Sequence, residues 1–421
     1  MRRRALPALA AALLAVSVGA CSTREPSADP TGSDEPIVIG STLALTGAFA
    51  STGIIHKIAG ETFVERLNAA GGLLGRRVEW RVLDDQSNTQ NIVPLYEQLL
   101  SGPDAVDLII GPYATPNILA AMGVAERFGK VLPHHTAVLR PQLTYECQFP
   151  GWSIGPNPNQ FIPEQLFDML ETLPNPPRRI AIATVQNGSA AFVTNGFDDD
   201  PTGVPTVAAE RGIEVVVNEQ YPVGTSDWTA IAQAVANAQP DLFISNSLGV
   251  DVVGQLNAMA QLGYQPPLTF ALFPAPGPVL GLGELAEGVF AWSMFEGNGS
   301  ALERLGDEAK EIVAEFVARA EAQNVPYTAF ETQAAASWTA WEILVEGVKA
   351  AGSLDDRAIC DALHEKGATT TFAGRLTFDP AQNNFWETTV GIKQVQDGEW
   401  VMVWPRGQAS AEVRDPRADA S

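Results

Sequence analysis

The sequence predicts an α/β protein of two lobes, each built on a doubly wound parallel sheet. From Pro36 onward, short runs rich in β-branched residues alternate with amphipathic runs of helical length. This alternation is typical of parallel strands covered by helices. It stops at the segment 157–159 (NPN) and then starts again. Because 421 residues are enough for two domains, the restart predicts a second lobe of the same plan.

The first lobe is predicted to contain four strand-helix units. A strand at 37–43 precedes a helix at 53–70, where apolar residues recur at helical spacing until Gly71-Gly72 ends the run. The elements that follow are a strand at 78–83, a helix at 91–100, a strand at 106–110, a helix from Thr115 with its hydroxyl as the expected N-cap, and a strand at 130–133.

The second lobe repeats this order. Its predicted strands are 179–184, 213–221, 241–245 and 267–272, and its predicted helices are 193–211, 228–237 and 252–262. The stretch 301–351 is mostly helical with an interruption at 324–326. The runs 374–379, 388–396 and 400–404 then alternate like antiparallel strands, and Asp397-Gly398 is a hairpin turn signal.

Residues 1–20 have the features of an export signal. Three arginines at 2–4 precede an apolar run at 5–18 that is too short to span a membrane. The local pattern VGAC resembles the bacterial lipobox, so Cys21 is expected to be lipidated and to anchor the protein to the outer face of the cell membrane. An ordinary cleaved signal with an incidental cysteine is the alternative. The polar, Pro-rich residues 21–36 are predicted to be a disordered tether.

The charge balance excludes one class of partner. The chain has 26 Lys and Arg against 49 Asp and Glu, a formal charge of −23. Removing residues 1–20 takes away three arginines and no acidic residue, which leaves −26. Such a protein repels nucleic acid and anionic lipid surfaces. We therefore expect no nucleic-acid partner, membrane association through the lipid only, and a monomer.

Motifs for catalysis or metal binding are missing. None of the four histidines lies in a zinc-ligand pattern, and the chain has no GxSxG, GxGxxG or Walker A sequence at the positions that would use them. We therefore expect no enzymatic activity, no cofactor and no metal. With Cys21 lipidated, only Cys147 and Cys360 remain, and outside the cytoplasm these either pair or stay buried as thiols.

Two segments follow predicted strands at the edge where open α/β sheets place ligands. Tyr113-Ala114-Thr115 follows the third strand and opens a helix, whose N-terminal N–H groups favour an anion. His134-His135-Thr136 follows the fourth strand. A surface loop is the alternative interpretation of the histidine segment.

Several longer segments together resemble a known family, the type I periplasmic binding proteins that serve branched-chain amino acid, amide and urea importers. IVIGSTLALTGAFASTG is similar to the family's first strand and ligand loop, and LNAAGGLLGRRVEWRVLDDQSN to the helix, glycine turn and strand that follow. PDLFISNSLGVDVVGQLNAMAQLGY resembles a second-lobe strand and helix, and FAGRLTFDPAQNNF a closing strand. The similarity extends over nearly all of residues 36–405.

The resemblance implies two lobes joined by three crossovers, with a ligand trapped between them when the hinge closes. By position, lobe 1 would comprise residues 37–155 and 291–374, and lobe 2 residues 156–290 and 375–406. Residues 407–421 would form a C-terminal tail.

The resemblance also implies a set of ligand-binding residues. In the family, hydroxyl and backbone groups of the loops after strands three and four bind the ligand carboxylate, and Thr115 matches a carboxylate-binding serine. Aromatic side chains of the first loop and of lobe 2 cover the ligand. The positions that match or lie near these roles are Phe49, Thr52, Tyr113, Ala114, Thr115, His134, His135, Thr136, Phe192 and Leu248.

One departure concerns the ligand itself. Amino-acid binders of the family place an acidic residue beside the ligand ammonium after the lobe 2 strand near Phe270, where this chain has ALFPAPGP. A buried ammonium without a partner is costly. Either Asp251 or another acid substitutes, or the ligand is not an α-amino acid. Phe273 and Trp292 suggest an apolar or aromatic wall, with an ordinary core role as the alternative.

Three functions follow from these observations. The first is a solute-binding protein that delivers a small organic ligand, a branched-chain amino acid or a related amide or carboxylate, to the permease and ATPase of an ABC importer. The second is a ligand sensor of the same fold that signals through a membrane receptor. The third is an exported enzyme with an unrecognised site. Export and family resemblance favour the first.

Overall fold

Two β-sheets organise the computed structural model. It describes residues 35–135, 142–154, 157–198, 200–386 and 390–417. Parallel strands dominate both sheets, which confirms the α/β class predicted from the alternation of strands and helices. The predicted signal, the tether and Cys21 lie outside the described residues.

The first sheet has three parallel strands. The elements in this part of the chain are β1 (Ile37–Leu43), α1 (Ala50–Ala69), β2 (Val78–Asp84), α2 (Ile92–Leu100), β3 (Leu108–Ile109), α3 (Thr115–Phe128), β4 (Leu132–His134) and β5 (Gln148–Pro150). The sheet has the order β2-β1-β3, and β4 and β5 form a separate parallel pair. Within the sheet and within the pair, the carboxyl ends of the strands therefore point the same way.

The second sheet has seven strands in the order β14-β13-β10-β9-β8-β6-β7. Its first elements are α4 (Pro158–Leu170), β6 (Arg179–Val185), α5 (Ala191–Asn195), α6 (Val204–Glu210), β7 (Glu214–Tyr221), α7 (Thr229–Ala238), β8 (Leu242–Gly249), α8 (Asp251–Gln261), β9 (Leu268–Pro274), α9 (Pro276–Leu280) and β10 (Phe290–Ser293). Strands β6 to β10 pair in parallel.

Of the remaining elements, two strands join the second sheet and two form a separate pair. The remaining elements are α10 (Gly299–Leu305), α11 (Asp307–Ala322), α12 (Thr332–Ala351), α13 (Asp356–Lys366), β11 (Ala368–Thr370), β12 (Gly374–Leu376), β13 (Gly391–Gln396) and β14 (Glu399–Trp404). Strands β13 and β14 form the predicted antiparallel hairpin around residues 397–398 and join the second sheet. Strands β11 and β12 pair only with each other.

Each sheet has its own hydrophobic core. Around the first sheet, Ile37 of β1 packs in one buried cluster with Phe316 of α11 and Trp341 of α12. Around the second sheet, Phe243 of β8 and Phe270 of β9 belong to a different cluster. We call the elements around the first sheet, with α11–α13 and β11–β12, lobe 1, and the elements of the seven-stranded sheet lobe 2.

The strand pairing shifts two boundaries expected from the sequence. Strand β10 pairs with β9 and β13 in lobe 2, so the second connection between lobes lies after Ser293 and not before residue 291. Strand β12 pairs with β11 in lobe 1, so residues 375–376 belong there. The side chain of Asn384 donates to the Gln148 carbonyl oxygen (2.8 Å), and this contact keeps the chain on lobe 1 until the third connection.

Residues 407–417, expected as a tail, pack along lobe 2. The Gln394 amide of β13 donates to the carbonyl oxygen of Arg414 (2.7 Å) and accepts from its N–H (3.0 Å). Gln396 donates to the carbonyl oxygen of Glu412 (2.8 Å). Buried glutamines at alternate positions of β13 thus hold the C-terminal segment in place.

Two local expectations are wrong. The helix predicted at 193–211 is two short helices, α5 and α6, because Gly196 has a positive φ of 68° and the following Pro/Gly-rich segment cannot continue a helix. Thr115 is not an N-cap. Ala114 holds that position with φ of 76°, and Thr115 is the first residue of α3.

Cys147 and Cys360 form a disulfide with a Cα–Cα distance of 5.4 Å. The bond joins the residue before β5 to α13, so it fastens one of the last helices of lobe 1 to the strand pair of the same lobe. Among the described residues, no helix combines the length and the apolar character that a membrane span requires.

Candidate functional site

A cavity lies at the ends of strands from both lobes. Lobe 1 contributes the loops after β1 and β3 and the first turn of α12, and the first connection contributes the segment after β5. Lobe 2 contributes the loop after β6 with α5, and the ends of β8 and β9. The lining residues are Phe49, Tyr113, Ala114, Thr115, Trp152, Ile154, Ser189, Phe192, Leu248, Phe273 and Gln333. This is the edge at which open α/β sheets bind ligands.

The cavity is nearly closed. The centre of a water-sized sphere can move through about 30 Å³ of it, whereas one water needs about 10–15 Å³ on this measure. Phe49 of lobe 1 packs against the lobe 2 core, so the lobes meet over the cavity. A ligand therefore enters only if the lobes separate or the lining side chains move.

Seven of the twelve residues predicted to bind ligand line this cavity. They are Phe49, Tyr113, Ala114, Thr115, Phe192, Leu248 and Phe273. They come from five separate segments of the chain, which the positions of the strand ends bring together. Thr136 lies outside the described residues.

The other four predicted residues lie behind the cavity wall or in a core. The His134 Nε2 atom is 2.9 Å from Gln148 Oε1, an interaction within the β4–β5 pair. His135 stacks on His56 with ring centroids 3.8 Å apart. Thr52 is buried in α1 beside Tyr113. Trp292 of β10 packs edge-on to Phe161 in the lobe 2 core. It therefore has the core role that was predicted as the alternative to a place in the cavity wall.

The lining is aromatic and carries no charge among the described residues. Phe49 and Tyr113 meet edge-on at 5.8 Å, and Trp152 and Phe273 at 5.7 Å. Phe192 completes the aromatic surface. No Asp, Glu, Lys or Arg of the described chain lines the cavity. An apolar body therefore fits most of the surface.

Asp251, the acid considered as a substitute partner for a ligand ammonium, does not line the cavity. It begins α8, and its carboxylate accepts a hydrogen bond from the Tyr221 hydroxyl (3.0 Å). Burial raises the pKa of Asp251 to about 6. The Asp251 carboxylate is therefore hydrogen-bonded to another residue of lobe 2 and does not face the cavity.

The polar part of the lining lies mostly on lobe 1. Thr115 opens α3, a helix of 14 residues whose N-terminal N–H groups favour an anion. Tyr113 is buried, which raises the pKa of its hydroxyl to about 12, and the hydrogen bond with Thr52 partly offsets this shift. A carboxylate oxygen is the acceptor that such a set of neutral donors suits best.

Behind Tyr113 lies a buried pair of imidazole rings. His56 is 5.2 Å from Tyr113 between ring centroids and stacks on His135. Burial lowers the pKa of His56 to about 3, and the nearby Gln333 side chain offsets part of the shift. No described group makes a hydrogen bond of normal geometry with either ring nitrogen of His56. The pair is therefore neutral at physiological pH.

Four lining residues were not predicted. Ser189 follows β6 at the same sheet edge as the residues that were chosen, so its position was available from the strand pattern. Trp152 and Ile154 lie on the first connection between lobes, and Gln333 lies far along the chain in α12. No local pattern marks these three, because only tertiary structure brings them to the cavity.

The described residues hold no group of three or more His, Cys, Asp or Glu side chains that could bind a metal ion. The cavity instead has the features of a site for a small organic molecule: concave, mainly apolar and with a few polar groups at one side.

Comparison with known proteins gives the family to which the chain belongs. The profile of a family described as periplasmic binding protein matches residues 36–399, which is most of the chain. The chain belongs to this family. Its members are binding proteins rather than enzymes, so the chain is a solute-binding protein, and the exported-enzyme alternative is dropped.

Curated relatives are similar over long alignments. The Leu/Ile/Val-binding protein homolog 7 of Brucella abortus is 24% identical over 426 residues, covering 96% of this chain and 99% of the relative. The Leu/Ile/Val-binding protein BraC3 of Rhizobium johnstonii is 24% identical over 349 residues, covering 81% of this chain and 87% of the relative.

Solved structures share the fold at lower identity. LivJ of Streptococcus pneumoniae in complex with isoleucine has a TM-score of 0.70 at 18% identity, covering 87% of this chain and 98% of that protein. A solute-binding protein of an ABC transporter from R. palustris in complex with benzoate has a TM-score of 0.70 at 16% identity, covering 90% and 99%. These neighbours confirm the two-lobed binding-protein fold.

Proposed function

We propose that this protein captures a small organic carboxylate with an apolar or aromatic body and delivers it to an ABC importer. The observation that carries the proposal is the uncharged, aromatic lining of the cavity, with the N-terminus of α3 at one side. An aromatic surface accommodates the body of the ligand, and N–H and hydroxyl donors accommodate its carboxylate.

The lining argues against an α-amino acid. An ammonium enclosed in this cavity would face no described carboxylate, and burial of an unpaired charge is costly. The relatives named for Leu, Ile and Val support the transport role and the apolar side chain of the ligand. The neighbour that holds benzoate shows that the fold accommodates a carboxylate without an ammonium.

Delivery follows from a two-lobed fold. Both lobes contribute to the lining, so a ligand that contacts both lobes binds the closed form more tightly and shifts the population toward it. A permease that recognises the closed form then receives loaded protein in preference to empty protein.

We also propose that Cys21 carries a lipid that holds the protein at the outer face of the membrane. The supporting observation is the VGAC pattern after a basic and apolar leader. Cells that express the protein and grow with an alkyne-labelled fatty acid should label it, and Cys21→Ala should abolish labelling and release the protein. Equal labelling of the variant would disprove the assignment.

The ligand class is tested by a thermal-shift screen. Protein that has been unfolded, dialysed and refolded is heated with amino acids, amides, urea, polyamines, and aliphatic and aromatic carboxylates. A ligand at one hundred times its Kd adds about 2.7 kcal/mol to the free energy of unfolding, which raises Tm by several degrees. Shifts confined to carboxylates that lack an ammonium group support the proposal, and shifts with leucine, isoleucine or valine alone contradict it.

A further inference from the structure

Three ionisable side chains are buried together where the lobes are joined. The Lys393 Nζ atom lies 2.6 Å from Glu296 Oε1, and each of these side chains is 3% exposed. Glu331 is also buried and forms a β-bridge with Glu296. We call these three residues the hinge cluster.

The hinge cluster connects segments of both lobes. Glu296 lies on the second connection, and Lys393 lies in β13 just after the third. Glu331 is the N-cap of α12 in lobe 1. Thr332 holds the second connection to the same helix, because its hydroxyl is 2.8 Å from the Ser293 hydroxyl and accepts from the Met294 N–H.

The hinge cluster contains one cation and two carboxyl groups. The pair of Lys393 and Glu296 is balanced, so an ionised Glu331 is a buried negative charge in excess. Burial raises the pKa of Glu331 to about 7; Lys393 opposes this shift and Glu296 adds to it. The phenols of Tyr327 and Tyr113 also experience the charge of Glu331. Glu331 therefore gains or loses its proton near neutral pH.

Glu331 is directly linked to the ligand cavity. Its Oε1 atom accepts a hydrogen bond from the Gln333 N–H at 2.9 Å, and the Gln333 side chain lines the cavity. Glu331 therefore fixes the first turn of α12 and, with it, the position of a lining residue. Tyr113, which also lines the cavity, is the second link to the same charge.

We propose that the hinge cluster couples capture of the carboxylate to uptake of one proton from solvent, with Glu331 as the group that takes it. Glu331 is thus a positioning residue whose protonation is part of ligand binding. This inference rests on the proposed carboxylate ligand, because an anion in the cavity makes a second negative charge nearby less favourable. Protonation of Glu331 removes that charge and leaves the balanced Lys393–Glu296 pair.

The proposal predicts the direction of the pH dependence. Where Glu331 is already protonated, the anion binds without further cost. As the pH rises above about 7, a proton must be bound together with the ligand, and the affinity falls by at most tenfold per pH unit. We expect a fall of about three- to tenfold between pH 6.5 and pH 8.5.

The test uses the full mature protein with 4-methylpentanoate and 3-phenylpropanoate as probes. Calorimetric titrations at pH 7.5 in phosphate and in Tris, whose ionisation enthalpies differ, give the number of protons taken up per ligand bound. Wild-type protein should take up a measurable fraction of one proton. This readout needs no variant, so it remains valid even if a substitution in the hinge cluster impairs folding.

Glu331→Gln should bind both probes with an affinity that no longer depends on pH between 6.5 and 8.5. Glu342→Gln is the matched control, because Glu342 is also a buried acid of α12 whose pKa burial raises to about 7, yet it accepts its hydrogen bonds from Trp338 and Thr371, which do not line the cavity. The control should keep the pH dependence of the wild type.

Three results would overturn the proposal. Binding of a probe by wild-type protein without proton uptake contradicts this inference alone, as does an unchanged pH dependence in Glu331→Gln. Absence of binding for every carboxylate contradicts the proposed ligand class and, with it, this inference.

Discussion

Closure of the two lobes depends on a glycine that faces a tyrosine across the interface. Gly277 of α9 belongs to lobe 2, and Tyr327, in the loop before α12, packs on the lobe 1 core. A Cβ atom at Gly277 would lie 2.6 Å from the Tyr327 Cβ atom and 3.0 Å from its Cγ atom. Gly277→Ala therefore forces the two lobes apart at this contact.

The added methyl group destabilises the closed form. Overpacking a tight contact costs about 1–3 kcal/mol. The open form, in which the lobes separate, does not bear this cost. Because each 1.4 kcal/mol is a factor of ten, ligand affinity should fall by about 5- to 150-fold. Small-angle scattering at a ligand concentration that closes the wild type should also show a larger radius of gyration for Gly277→Ala.

Gly123→Ala is the matched control, because Gly123 lies in α3 and a Cβ atom there meets no heavy atom within 4 Å. Both variants are titrated with the ligand identified by the thermal-shift screen. Equal affinity of Gly277→Ala, Gly123→Ala and the wild type would refute the view that this contact belongs only to the closed form.

Further changes should give distinct results. Replacing Cys147 and Cys360 by serine should lower the free energy of unfolding by about 2–5 kcal/mol in urea titrations, because the bond closes a loop of 213 residues; a loss below about 1 kcal/mol would contradict this. Thr115→Ala should weaken carboxylate binding by about 1–3 kcal/mol in calorimetry, and unchanged affinity would exclude its hydroxyl from the site. The pKa of His56 is about 3 in the folded protein and ordinarily 6.5. The unfolded chain therefore binds a proton first, and stability in urea titrations should fall as the pH is lowered from about 6.5, by up to 1.4 kcal/mol per pH unit; His56→Phe should reduce this slope, and an unchanged slope would exclude His56 as its source.

The sheets were predictable because each strand is marked locally. The run 37–43 is apolar and β-branched and forms β1 with the predicted bounds. The hairpin at 397–398 follows from an Asp-Gly pair between alternating strands. By contrast, the partner of a strand depends on distant segments. The pairing of β10 with β13 therefore could not be inferred from either sequence alone.

The site was predictable only in part, for a related reason. A residue that follows a parallel strand lies at the binding edge, and Tyr113, Ala114 and Thr115, which were predicted by this rule, line the cavity. The same rule cannot tell which way a side chain points. His134 turns toward Gln148 in the neighbouring strand, and Trp292 points into the lobe 2 core. Gln333 reaches the cavity from a helix that follows another connection, beyond any local pattern.

The central claim is that the cavity selects a carboxylate that lacks an ammonium group. Isothermal titration with leucine and with 4-methylpentanoate tests it most directly, because the two molecules share the same carboxylate and branched side chain and differ only in the ammonium. The uncharged lining predicts that 4-methylpentanoate binds at least tenfold more tightly, a difference of about 1.4 kcal/mol or more. Tighter binding of leucine would contradict the claim and require an acidic partner for its ammonium.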